Sequence, residues 1–122
     1  MTQGLLILTA LSALLTGNLG GTWTGVATDN EGGRQGAYLQ LREDGNKITG
    51  VAGADQEHCW PIKSVIYNGN HLTFGVTSTN QTGEQANWVF DLKVDGDRMA
   101  GTGEASREGQ SWKVDLTLTR QK

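Results

Sequence analysis

His58-Cys59-Trp60 is the triplet in this chain with the most chemistry in it. A thiol nucleophile needs a base within hydrogen-bond reach and a third group to orient that base. In an extended segment, neighbouring residues point to opposite faces, so His58 and Cys59 are poorly placed to form such a pair. His58 reads instead as a solvated loop residue, not a haem or metal ligand. The other histidine, His71, follows the turn signal Asn68-Gly69-Asn70 and is expected at the opposite end of the molecule, so the two cannot share a metal. Cys59 is the single cysteine, which excludes an intramolecular disulfide and any zinc site of paired cysteines. A lone cysteine is either buried and inert or exposed and able to pair with another chain; free cysteine is among the most buried residue types, and burial is the expectation for this one.

Paired carboxylates offer little more. Asp44, Asp95 and Asp97 belong to hairpin turns, where aspartate serves backbone bonding. Asp55 with Glu57, and Glu104 with Glu108, fall at a loop rim, yet a glycosidase needs two carboxyls across a cleft. Neither an enzyme nor a cofactor is expected. Asn80-Gln81-Thr82 fits a glycosylation sequon, a triplet frequent by chance. The residues left for a function are tryptophans, three of which (Trp60, Trp88 and Trp112) stand among small residues.

Whether those tryptophans meet depends on the elements that carry them, and here the chain repeats itself. Sliding it by fifty-one positions superposes Thr22, Thr28, Gly32, Leu41, Asp44, Gly45, Gly50, Ala54 and Glu57 on identical residues without a gap, and sets Trp23 on Phe74 and Ile48 on Met99. One inserted residue brings Trp60-Pro61-Ile62 onto Trp112-Lys113-Val114. The match extends to both sides of the Asp-Gly hairpin, so it reads as an internal duplication over about 22–70 and 73–121. Each half gives four strands: about 22–28, 36–43, 47–54 and 61–67, then about 71–78, 86–94, 98–105 and 111–120. Period-two alternation is clearest through Trp88, Phe90, Leu92 and Val94, and through Trp112, Val114, Leu116 and Leu118.

Asp44-Gly45, Asn68-Gly69 and Asp95-Gly96 signal tight hairpins. Longer loops are expected at Asp29–Gly33, Asp55–Cys59, Asn80–Glu84 and Ser106–Gln110, all at the other end. Eight sequential antiparallel strands most simply close into an all-β, up-and-down barrel, which removes exposed edges. An open two-sheet sandwich is the competing architecture.

Gly21-Thr22-Trp23 at the start of the first strand resembles the Gly-x-Trp signature of the calycin superfamily, which includes lipocalins and avidins. The resemblance covers residues 20–122 and implies that Arg120, on the last strand, packs over Trp23 at the closed end, both in structural roles. The chain departs from lipocalins in lacking their Thr-Asp-Tyr turn motif, a disulfide and a C-terminal helix. It departs from avidins in lacking the Asn-x-x-Gly-Ser that grips biotin, which argues against that ligand. It looks most like small secreted bacterial calycin-like barrels.

Strand direction sorts the inward residues by height. Trp23, Leu41, Ile48, Ile66, Leu72, Leu92, Val94, Met99, Leu118 and Arg120 gather at the short-turn end, where an eight-stranded barrel has just enough width for side chains. Ala27, Ala37, Ala52, Ser78, Ala86 and Gly103 gather at the long-loop end, beside Trp60, Trp88 and Trp112. Two readings follow. The small residues leave an apolar pocket walled by the three tryptophans, with His58, Asn87 or Ser78 orienting a small ligand. Or they only permit strand coiling and the tryptophans fill the gap, leaving a solid structural or interaction module.

The 122 residues suffice for one domain. Ten Lys and Arg are scattered and the net charge is −3, so no basic stripe for nucleic acid exists. Eighteen glycines with one proline suit short strands and tight turns. Leu5 to Leu15 is uncharged, too short to span a bilayer and of signal-peptide length. Residues 1–17 are therefore expected to be an export signal, placing the barrel of 18–122 in the periplasm or outside the cell. The competing reading is an N-terminal helix covering one end of the domain.

Overall fold

The computed structural model describes residues 19–121. The expected export segment lies outside the described residues. Eight strands follow one another: β1 (Gly21–Asp29), β2 (Arg34–Asp44), β3 (Lys47–Asp55), β4 (His58–Asn68), β5 (His71–Thr79), β6 (Gln85–Asp95), β7 (Arg98–Arg107) and β8 (Gln110–Arg120). Each pairs antiparallel with its neighbours in sequence, and β1 pairs with β8 from Trp23↔Arg120 to Asp29↔Val114. The sheet is therefore a closed up-and-down barrel and not an open sandwich. Closure supplies every strand with two partners, which removes the unpaired edges an open sheet would present.

Closing eight strands requires strong coiling, and two glycines show where. A Cβ on Gly50 would lie 1.9 Å from the Gln40 carbonyl oxygen of β2, and one on Gly101 would lie 2.0 Å from that of Asp91 on β6. The two positions are fifty-one residues apart and meet the same obstacle. The longer loops match in the same way. Asp29 Oδ1 accepts the amides of Glu31 and Gly33. Asn80 Oδ1 accepts those of Thr82 and Glu84. In each loop the first backbone amide is answered by the carbonyl four residues on, at 2.9 Å.

The other two loops expected to be long are short. Asp55 Oδ1 accepts the amides of Glu57 and His58 at 2.8 and 2.9 Å, and this clamp lets β4 begin at His58. Glu108 and Gly109 both take positive φ, 52° and 82°, the backbone a two-residue hairpin with matching twist requires. The open end therefore carries two longer loops, facing each other across the barrel.

A second correction concerns β4. Its register with β5 shifts between Lys63 and Ile66, and Ser64 takes φ 55°. A bulge flips the side-chain alternation: Ile62 faces in before it, Val65 and Tyr67 after it. Ile66, expected inside, is 63% exposed. Pairing of β3 with β4 also ends at Val51↔Pro61, where proline has no N–H to give.

The core is solid at the short-turn end. Leu19 and Trp23 are fully buried, and the Trp23 indole N–H donates to the Leu19 carbonyl at 3.0 Å. Leu19 is held as a plug because its amide donates to Glu43 Oε1 at 2.9 Å. The Arg120 guanidinium lies 4.3 Å from the centre of the Trp23 ring, donating to Asp97 Oδ1 and the Gly20 carbonyl. It thereby gains a cation–π contact and hydrogen bonds at once.

Candidate functional site

Above this core the barrel is not filled. A cavity of about 230 Å³ lies between β2 and β3 on one wall and β5 and β6 on the other, reaching the open end. Its floor and far wall are aromatic. Trp88 stacks on Phe90 with centroids 5.6 Å apart and planes 6° from parallel, and Phe90 leans on Phe74 at 5.2 Å. Trp60, half-buried, closes one side. Ala27, Ala37 and Ala52 form the near wall.

The origin of the space is a difference between the halves. At the fifty-one-residue spacing, Ala37 corresponds to Trp88 and Leu39 to Phe90. Strands β2 and β6 stand four apart in an eight-stranded ring, on opposite walls. One wall projects an indole and a phenyl ring, and the other answers with a methyl group and a leucine. Gly103 makes room for the rings, since a Cβ there would lie 2.5 Å from the edge of Phe90.

The lining contains no charged side chain. Its polar side chains are Ser78 and Gln35. The Trp88 indole N–H donates to Ser78 Oγ at 3.2 Å, so that hydroxyl already accepts one bond and keeps its own proton to donate.

Of the residues expected around a pocket, Trp60, Trp88 and Ser78 come together here. Trp112 stays on the inner side, flanking Ala105 across from Trp88, but higher. It is 42% exposed, carries the Arg107 guanidinium 5.5 Å from its ring centre, and borders a polar recess beside the β1–β2 loop that shares Ala27, Gln35 and Val114 with the cavity. Asn87 faces outward, accepting from Thr77, which in turn accepts from Lys63. Its neighbour Trp88 takes the inward face, so strand alternation sends Asn87 out.

His58 is the exposed first residue of β4, beside the β3–β4 turn. Its Nδ1 lies 2.8 Å from Asp55 Oδ1. The hydrogen bond to Asp55, reinforced by that carboxylate's negative charge, raises the imidazole above its ordinary pKa. The same bond, with the Glu57 amide, holds the Asp55 carboxyl below the usual range. Cys59, half-buried, donates to the Gln56 carbonyl at 3.5 Å and so turns away from His58. His71 pairs with Asp91 on the outer face, also at 2.8 Å. Among the described residues no three His, Cys, Asp or Glu side chains gather as a metal would require.

At the rim, Glu84 is held below the usual carboxylate range by the Asn80 amide, then by the charge of Arg107 and the Thr82 hydroxyl. These bonds order the β5–β6 loop beside the cavity mouth. Sequence reasoning missed Phe90 as part of the lining, with Phe74 packed behind it. The period-two run through Trp88 and Phe90 was the available signal. No family model, no characterised protein and no solved structure matches this chain.

Proposed function

We propose that this protein binds a small, largely apolar molecule in the cavity bounded by Trp60, Trp88 and Phe90. One observation carries the reading: a barrel packed solid around Trp23 and Leu92 holds, one layer up, an uncharged space of about 230 Å³. Interiors normally close such space, because lining atoms without partners forfeit dispersion energy. Apolar walls with few polar groups are the usual composition of a ligand site. The protein acts as a carrier or receptor without chemistry, and neither histidine–aspartate pair contributes to the cavity lining.

Trp23 beneath Arg120, with the opposite end open, supports the calycin-like relationship. The matching loops and glycines support duplication of a four-stranded unit. The barrel works outside the cytoplasm, after removal of residues 1–17 as an export signal. Native mass spectrometry of the full chain produced in an exporting host tests these claims together. A processed chain carrying a small-molecule mass that Ala37→Trp abolishes is expected. A bare chain, together with no binding of apolar probes to the purified protein, would overturn the ligand reading.

A further inference from the structure

Resting on that reading, we infer that the ligand is a neutral, flat aromatic molecule of two fused rings, presenting one hydrogen-bond acceptor to Ser78. Three properties of the cavity converge on this class.

The first is size. An apolar cavity of about 150 Å³ accommodates benzene, whereas ligands of drug size occupy roughly 300–1,000 Å³. The present 230 Å³ is about half as large again as the benzene site. It suits two fused rings and is too small for a steroid or a long acyl chain lying wholly inside.

The second is shape. Trp88 and Phe90 stack with planes within 6° of parallel, so the pair offers a flat ring face. Aromatic rings prefer offset stacking with centroids about 4.5–7 Å apart. A planar guest can continue that stack, facing the small wall of Ala37 and Ala52. A flexible chain would touch the flat ring face along a line and would lose rotamer freedom in doing so.

The third is polarity. The lining has no charge to answer a carboxylate or an ammonium, and burying an unpaired charge is strongly unfavourable. Ser78 Oγ is fixed as an acceptor by the Trp88 indole at 3.2 Å. Its proton is the donor beside the aromatic stack, with the Gln35 amide as the other polar side chain of the lining, and it suits a guest offering a ring nitrogen, a carbonyl or an ether oxygen.

The test is calorimetric titration of the full chain at neutral pH with four probes: quinoline, naphthalene, 1-octanol and octanoate. Quinoline should bind at least tenfold tighter than octanol or octanoate. Ser78→Ala should weaken quinoline about three- to tenfold, the worth of one hydrogen bond, while naphthalene changes less than twofold. Unchanged naphthalene binding also shows that Ser78→Ala leaves the cavity intact. Ala37→Trp should abolish binding of both aromatics.

Octanol or octanoate binding as tightly as quinoline, and lost in Ala37→Trp, would overturn the aromatic class and leave the cavity as a ligand site. Quinoline indifferent to Ser78→Ala would overturn the role of the hydroxyl. Failure of all four probes would overturn both the class and the binding reading beneath it.

Discussion

Replacing Trp88 with alanine separates a ligand cavity from a core that closes in solution. Removing a fully packed tryptophan costs about 3–5 kcal/mol. Trp88 is only half-buried and faces empty space. Its specific contacts are the stack on Phe90 and the bond to Ser78. The first is worth about 0.5–1.5 kcal/mol and the second about 0.5–1.5 kcal/mol. Trp88→Ala should therefore cost about 2 kcal/mol, or roughly 8–16 °C in Tm for a domain of this size. Trp23 is the internal standard, being fully buried, bonded to Leu19 and covered by Arg120. Trp23→Ala should cost about 4 kcal/mol or more. Urea unfolding followed by circular dichroism gives both values, provided the m-values agree. Equal losses would refute the reasoning, because Trp88 would then be packed on all sides and no cavity would exist to bind anything.

Gly103→Ala places a methyl group within 2.5 Å of the Phe90 ring and should push that ring into the cavity. A loss of about 1–3 kcal/mol in thermal unfolding is expected, with weaker binding of any aromatic probe. Gly50→Ala and Gly101→Ala each drive a Cβ into a backbone carbonyl of the neighbouring strand, which cannot rotate away. Each should destabilise the barrel by about 3 kcal/mol or more, and a milder effect at either position in calorimetry would contradict the coiling described. In an NMR titration the His58 imidazole should turn over above about 6.5, and Asp55→Asn should return it there. The raised histidine pKa makes its stabilisation full below about pH 6.5, and that stabilisation is lost as the pH rises through the folded value. The lowered Asp55 pKa makes its share present above about pH 4 and lost as the pH falls. The turn is therefore firmest between those limits. An unshifted His58 in the wild-type chain would remove the pair.

Local chemistry determined the barrel. Asp44-Gly45, Asn68-Gly69 and Asp95-Gly96 mark their hairpins because Gly45, Gly69 and Gly96 take φ of 65°, 67° and 62°, which glycine accepts without strain. Period-two alternation then sorts each strand into two faces, so Trp88, Phe90 and Leu92 were legible as inward neighbours. Both signals reach across a few residues only. The bulge at Ser64, which turns Ile66 out, comes from the fit of β4 to β5 and leaves no mark in the composition of β4. The same limit hid the Leu19 plug, whose anchor on Glu43 lies two strands' worth of chain away.

The site divided along the same line. That Trp60, Trp88 and Trp112 stand among small residues was readable from the sequence. Which of them enclose a space was decided by strand height and by the clamp at Asp55 and the hairpin at Glu108-Gly109, which shortened two loops and left Trp112 at the rim. A cavity is the volume that eight strands together leave unfilled. No single strand's pattern contains that sum, and only the closed barrel, setting Ala37 opposite Trp88, performs it.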